Sequence, residues 1–435
     1  MNRFWQLLLT AIETLGFIVG LAIVKPPLAL APPTEITAFG LESLNSIQSL
    51  EELKQLRDRL LSKTETITQS DEPIKDELRQ TVQALEIKIH LEQQARENLA
   101  AAMSLATQAV DRTKDEQPSL DLLQDAESLW LQAIAQLEKI PQQTLLSPIA
   151  EQKIAQYKKH YQSIAYQVDV AQSYFLKLIA TRMGNPDRVS ITVCQVSDGD
   201  CRYWRGDTYP ASAASLIKVP IAIALMEKVT SENISLDTKI KVSRGNYTED
   251  PEGANIWSGR EHTLRELLLR TIDRSSNIAT NQLIDYLGRD YINQVLRDRG
   301  YTFTLVDRKL VGNRIYPSNA GGSQINRIVT RELTDMMVKI YNQEHPGDNV
   351  LLDALVRQSD RELGYQALSD SSEQWIGEKT GKNSKVLGTT VGVLIRKAYK
   401  ERYVITITHD YNSNPQTIRQ GIRDIVDHIA LQGHL

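Results

Sequence analysis

The feature that most restricts this chain is a charged residue inside an apolar helical run. Ala214-Ser215-Leu216-Ile217-Lys218-Val219-Pro220 continues into Ile221-Ala222-Ile223-Ala224-Leu225, after an extended patch that ends at Tyr209-Pro210. Ser215 is therefore expected in the first turn of a buried helix. Residues three apart on a helix share a face, so Lys218 can bring its amine to the Ser215 hydroxyl. The positive end of a helix dipole and the apolar walls of Ile217, Val219 and Ile221 disfavour an ammonium there. A neutral lysine could then take the serine proton. The plainer alternative is an N-cap serine beside a snorkelling lysine. Ser-x-x-Lys alone does not separate the two.

Two later motifs do. Arg274-Ser275-Ser276-Asn277 closes an amphipathic helix, with Ser275 60 residues beyond Ser215. Glu378-Lys379-Thr380-Gly381 puts Lys379 164 residues beyond Ser215, and residues 389–395 then read as a strand. Ser-x-x-Lys, Ser-x-Asn and Lys-Thr-Gly in that order resemble the serine β-lactamase and penicillin-binding protein superfamily, and both spacings resemble the class A β-lactamases in particular. The middle motif departs from Ser-Asp-Asn, reading Ser-Ser-Asn, and keeps the two polar residues that have assigned roles. The resemblance covers about residues 187–435.

Composition sets the frame around these motifs. At 435 residues two or three domains are expected. A formal net charge of −4 gives no general attraction to nucleic acid. Seven histidines lie without ligand spacing and there is no Cys-x-x-Cys, so no metal or other cofactor is expected. Residues 4–24 are largely apolar, with Arg3 before them and Lys25 after, long enough to cross a bilayer, although Glu13 sits at the centre. They read as a membrane anchor or as a secretory signal cut near Ala29-Leu30-Ala31, residues 1–31 in either case, with Pro32 weighing against cleavage. Either reading sends the rest of the chain out of the cytoplasm, as a membrane-attached or secreted protein.

Residues 40–183 carry almost no strand signal and read as an all-α arm. Leu44, Ile47, Leu50, Leu53, Leu56 and Leu60 recur at helical spacing, Pro73 restarts the chain, and Gln117-Pro118-Ser119 and Ile140-Pro141 interrupt it. Ala126, Leu129, Trp130, Ala133 and Ile134 before Ile140-Pro141, followed by a helix over about 149–179, make an αα-hairpin pattern. That pattern resembles segments beside export signals in cyanobacterial envelope proteins. The arm is expected to serve as a spacer, a self-associating coiled coil or a docking surface; a solenoid would need more repeats.

From residue 187 the pattern changes to α+β. A strand over 188–195, a turn at 196–200 and a return over 201–205 form a hairpin flanked by Cys194 and Cys201, the only cysteines. A disulfide between them would be structural and would need a six-residue connection; two separately placed thiols are the alternative. A polar loop holds Tyr247, Glu249, Asp250 and Trp257. Thr263 with Glu266 forms a capping box for a helix whose packing aims the Ser275 loop at a cleft. Helical material fills the middle, and strands and a closing helix over 416–431 end the chain. This order predicts an antiparallel sheet assembled from both ends of the domain, with a helical lobe beside it.

What the resemblance implies for chemistry is an acyl-enzyme on a β-lactam or a related cell-wall amide. Ser215 is then the nucleophile and Lys218 the acylation base, while Ser275 passes a proton to the leaving nitrogen. Asn277 binds the substrate amide and Lys218, and Lys379 and Thr380 hold the substrate carboxylate. Gly381 lets the substrate lie against the strand edge, and the N–H groups of Ser215 and Lys382 form the oxyanion hole. One part is missing. Class A β-lactamases place a glutamate in the loop corresponding to Leu305-Val306-Asp307-Arg308-Lys309-Leu310-Val311, and no glutamate occurs from 301 to 331. Its position falls at Leu310 or Val311, and Asp307 matches a salt-bridge residue of that loop. Deacylation is therefore expected to be slow. A D-alanyl-D-alanine peptidase and a non-catalytic envelope scaffold are the alternatives.

Overall fold

The computed structural model describes residues 47–67, 72–312, 314–369 and 373–435. The expected anchor or signal at residues 4–24 lies outside them. No described helix is long and apolar enough to cross a membrane. The chain divides into two compact units, Met1–Ala165 and Tyr166–Leu435.

In the first unit the helices are α1 (Leu50–Thr66), α2 (Glu72–Arg112), α3 (Leu120–Glu138) and the start of α4 (Ser147–Gln172). Ser49 and Ser119 cap α1 and α3 by accepting from the N–H groups of Glu52 and Leu122. Leu50 and Leu53 of α1 pack on Leu85 and Ile89 of α2. Trp130 of α3 meets Tyr157 edge-on and stacks on His160 of α4. Glu92 is buried on α2, and its carboxylate accepts from the backbone N–H of Leu145 at 2.8 Å. The breaks at Gln117-Pro118-Ser119 and Ile140-Pro141 fall between these helices, and Pro73 lies in the first turn of α2.

The second unit is α+β. Helix α5 (Tyr174–Arg182) precedes strands β1 (Val189–Gln195) and β2 (Cys201–Trp204), and a 3₁₀ turn (Ala214–Ile217) leads into α6 (Lys218–Ser231). A short β3–β4 pair (Lys239–Lys241, Glu261–Thr263) stands apart from the main sheet. The helical lobe holds α7 (Leu264–Asp273), α8 (Asn277–Leu287), α9 (Arg289–Asp298), α10 (Thr330–Asn342), α11 (Asp348–Val356) and α12 (Gly364–Leu368). Strands β5 (Gln374–Asn383), β6 (Val386–Ile395) and β7 (Glu401–Asp410) then lead to α13 (Pro415–Gln432).

The main sheet has the order β2-β1-β7-β6-β5 and every neighbouring pair is antiparallel. The N-terminal hairpin thus pairs with the last strand, as a sheet built from both ends requires. Cys194 and Cys201 stand opposite each other in the hairpin and form a disulfide across the six-residue connection. One sheet face packs on α5 and α13 through Leu176, Ile179, Ile418 and Ile422. Helix α10 covers the other face partly through hydroxyls: Thr192 meets Thr330 at 2.9 Å, and Thr334 donates to Thr406 and Thr406 to Thr390. These groups satisfy one another, so their burial leaves no polar atom stranded.

Helix α5 lies upstream of residue 187, where the domain was expected to start, yet its buried face is part of the sheet's own core. Leu176 and Ile179 are as inaccessible as Ile405 on β7. Leu176→Ala should therefore destabilise residues 166–435 by about 2–5 kcal/mol in chemical denaturation. Removing everything before residue 187 should cost more than that single change.

Candidate active site

The site is assembled from four segments: the turn into α6, the turn between α7 and α8, strand β5, and the loop 305–312. Ala214 has a left-handed backbone, φ 43°, immediately before Ser215. The 3₁₀ turn that follows presents Ser215 on the wall of a cleft of about 260 Å³. Strand β5 runs directly against this turn. A Cβ on Gly381 would lie 2.8 Å from the Leu216 side chain and 3.3 Å from the Ser215 nitrogen. Glycine is needed there to admit the backbone of Ser215 and Leu216, a tighter constraint than room for a substrate.

Lys218 is completely buried. Its amine donates to the carbonyl of Ser275 and, at 2.8 Å, to Asn277 Oδ1, and it lies 3.1 Å from Ser275 Oγ. Ser215 Oγ is not among these partners, so the expected Lys218–Ser215 contact is replaced by one to the opposite turn. The physical reason is that a lysine buried this deeply takes its polar partners where they converge, and the α7–α8 turn offers three oxygens. Ser275 itself has a left-handed backbone, φ 55°.

Lys379 approaches Ser275 from the other side. Also fully buried, it donates to Ser275 Oγ at 3.0 Å and to the Thr380 carbonyl at 2.7 Å. One hydroxyl thus sits between two amines. Burial holds Lys218 well below the ordinary lysine range; Lys379 pushes it further down and Asp250 opposes. Burial also lowers Lys379, to about 8, against the pull of Asp360, Glu378 and Asp273. Near neutral pH this leaves Lys379, at about 8, largely an ammonium, while Lys218 is pushed toward the neutral amine. A neutral amine has two N–H groups and one lone pair. With the N–H groups given to the Ser275 carbonyl and Asn277, the lone pair is available to a hydroxyl.

Thr380 and Lys382 differ from the simple expectation. Thr380 Oγ1 donates to Asp360 Oδ2 at 2.9 Å, and the Lys382 amine pairs with Glu362 at 2.9 Å while its residue lines the cleft. Motif reading gives no signal for Asp360, which reaches β5 from the segment ahead of α12. Beneath the motif, buried Glu378 accepts from the N–H groups of Gly364 and Tyr365, the Thr389 hydroxyl and the Trp375 indole. It ties α12 to the sheet.

The loop 305–312 closes the far wall of the cleft. Asn281 of α8 holds Leu310 by both backbone groups, accepting from its N–H at 2.7 Å and donating to its carbonyl at 2.8 Å. Leu310 and Val311 both line the cleft, and among the described residues its lining includes no Asp or Glu. Asp307 turns away and accepts from the Gln324 N–H at 2.7 Å. The Glu249 carboxylate is taken by the N–H groups of Arg314 and Ile315. Asn281, Asp250 and Asp360 are the site residues that sequence reading passed over or left without a role.

Residues 173–431 match the model of the Beta-lactamase enzyme family. A β-lactamase of Citrobacter koseri is 23% identical over 262 residues, 58% of this chain and 83% of that protein. Among solved structures, an acyl-enzyme complex of a leucine-to-glutamate mutant of PBP-A with penicillin G is 22% identical, with a TM-score of 0.50 over 59% of this chain and 96% of that one. A β-lactamase from Sphaerobacter thermophilus is 21% identical, with a TM-score of 0.50 over 60% of this chain and 97% of that one. At these identities the structural likeness shows the fold.

The lowered affinity of Lys379 for its proton has two consequences of opposite sign. Between about 8 and the ordinary 10.5 the unfolded chain binds the extra proton, so this lysine's contribution to stability rises with pH across that window. Capture of a carboxylate ligand by the free protein needs the ammonium and should weaken as pH rises through about 8. Thermal melts and ligand-capture rates against pH measure the two.

Proposed function

The chain belongs to the β-lactamase enzyme family, and on that premise we propose that Ser215 is acylated by β-lactams or related cell-wall amides and released slowly. The protein is a serine hydrolase that works through an acyl-enzyme. The observation that carries the finer reading is a cleft that holds Ser215 and, among the described residues, no carboxylate in its lining.

Acylation starts with proton removal from Ser215 and attack of its Oγ on the carbonyl carbon. Lys218 is the base, directly or through Ser275, whose hydroxyl lies within 3.1 Å of Lys218 and 3.0 Å of Lys379. The N–H groups of Ser215 and Lys382 stabilise the oxyanion, and glycine at 381 lets these two backbones converge. As the tetrahedral centre collapses, Ser275 gives its proton to the leaving nitrogen and is reprotonated through Lys218. The Lys379 ammonium, with Thr380, attracts the substrate carboxylate, although Asp360 on the Thr380 hydroxyl weakens that attraction.

Deacylation needs a water with a base within hydrogen-bond reach. Leu310, held by Asn281, occupies the wall where such a base would stand. Loss of a general base slows that step by about 10²–10⁴-fold. The same lining supports a second reading, a D-alanyl-D-alanine peptidase whose natural acceptor supplies what the loop lacks. A scaffold role is disfavoured, because two buried lysines on one hydroxyl are expensive unless they do chemistry. The Cys194–Cys201 disulfide supports an extracytoplasmic location, and the helical first unit serves as the spacer from the envelope.

Intact-mass measurement with a penicillin should show one covalent adduct that accumulates and decays slowly. Ser215→Ala and Lys218→Ala should abolish it, and Asp307→Ala should leave its lifetime unchanged. Leu310→Glu should shorten the lifetime by supplying the base. Rapid turnover without an adduct in the unaltered protein would refute slow release.

A further inference from the structure

The loop between β3 and β4 reaches the Ser275-Ser276-Asn277 turn through one carboxylate. Asp250 Oδ2 accepts from the Ser276 hydroxyl at 2.7 Å, while Oδ1 accepts from the N–H of Asn277 and, at 3.2 Å, from that of Ile278. These N–H groups open α8, where the helix has no internal acceptor for them. The preceding residue adds a contact: the Glu249 carbonyl accepts from Asn277 Nδ2 at 3.2 Å, which turns Asn277 Oδ1 toward Lys218. Ser276 is fully buried and its hydroxyl also accepts from the Ala279 N–H. Asp250 does not line the cleft.

We propose that Asp250 is a positioning residue for acylation: from a separate loop, its carboxylate fixes the Ser275-Ser276-Asn277 turn and, through that turn, the Lys218 amine. The inference rests on the acyl-enzyme reading above. Ser275 has a strained left-handed backbone, a conformation that persists only where its surroundings over-determine it. Three hydrogen bonds to Asp250, on the three residues that follow Ser275, do so. With serine in the middle of the motif, the turn carries no carboxylate of its own, and the loop supplies one.

The charge has a second effect. Lys218 is faced by Ser275 and Asn277 of the turn, and the charges that act on it are Lys379 of β5 and Asp250. Asp250 is the acid that acts on it, opposing burial and the Lys379 charge. Asp360, Glu378 and Asp273 act on Lys379 instead. Removing the Asp250 charge while keeping its shape should therefore make Lys218 harder to protonate.

The test uses the full chain and a fluorescent penicillin, with acylation rates followed against pH. Asp250→Ala should slow acylation by about 10²-fold, the order expected when a base loses its position. Asp250→Asn should move the acid limb of the profile to lower pH. Asp250→Ala combined with Ser276→Asp, which returns a carboxylate to the same space from the turn itself, should recover most of the rate. Ser276→Asp alone sets two carboxylates in contact and should be impaired. Wild-type rates and pH profiles in the Asp250 variants would overturn the proposal. So would a loss in Asp250→Ala that only follows loss of folded protein and is not recovered in the double variant. If the unaltered protein forms no adduct, the acyl-enzyme reading fails separately. Nitrogen NMR titration of the Lys218 amine then decides: an unchanged titration in Asp250→Asn overturns the positioning role, and a shift to lower pH upholds it.

Discussion

Two buried lysine amines converge on the hydroxyl of Ser275, and the rest of the site follows from keeping them there. Each amine is removed from water, and each raises the cost of charging the other. Two ammonium groups this close in a medium of low dielectric would repel strongly. The structure resolves the conflict asymmetrically. Lys379 is surrounded by Asp360, Glu378 and Asp273, so it keeps much of its proton affinity. Lys218 has the support of Asp250 alone and is pushed well below the ordinary range. Of two chemically identical side chains, Lys218 is pushed further toward losing its proton than Lys379, because the acids are distributed unevenly around them.

That arrangement depends on backbone conformations that are unfavourable by themselves. Ala214 and Ser275 are both left-handed without being glycine, each at a cost of order 1–3 kcal/mol. One directly precedes Ser215 and the other opens the Ser275-Ser276-Asn277 turn. What holds them is local packing: Gly381 lets β5 press against the Ser215 turn, Ser212 accepts from the Ala214 N–H at 3.1 Å, and Asp250 grips the start of α8. Sheet and helical lobe thus meet at the Ser215 and Ser275 turns, so the geometry of these groups depends on the packing of the domain.

Much of this was legible in the sequence, for identifiable reasons. Ser215, Lys218, Ser275, Asn277, Lys379 and Gly381 lie in short motifs whose spacing survives as a pattern. The sheet built from both ends was readable because alternation in the first hairpin and the last strands is strong. What escaped were contacts between distant segments. Asp250, Asn281 and Asp360 look like ordinary polar residues of loops and helices, and their roles exist only once α8, β5 and the loop ahead of α12 meet. Helix α5 escaped for a different reason. Periodicity identifies its apolar face, Leu176, Ile179 and Ala180, but not whether that face joins the arm or the sheet. The Lys218–Ser215 contact was expected from helix geometry, which says which residues share a face and not which partner a flexible amine will choose.

The electrostatics of the cleft bear on why its missing carboxylate is consistent with the whole. Arg308, Lys309, Lys382 and Lys385 line it. Two of them are neutralised from behind, Lys309 by Asp285 at 2.8 Å and Lys382 by Glu362 at 2.9 Å, and the Arg308 guanidinium donates to the carbonyls of Gly322 and Ser323. The surface left to a ligand keeps a positive balance, from Arg308 and Lys385, which pair with no acid among the described residues. Such a lining stabilises a bound anion, and the same field would hold a carboxylate firmly ionised and lower its basicity. Water activation calls for the opposite, a base whose proton affinity is raised toward working pH. A cleft built to capture an anionic acyl donor is therefore a poor setting for a carboxylate base unless that base is shielded from the cations. The apolar side chains of Leu310 and Val311 form part of the cleft wall, which agrees with the proposal that the ester is formed more readily than it is hydrolysed.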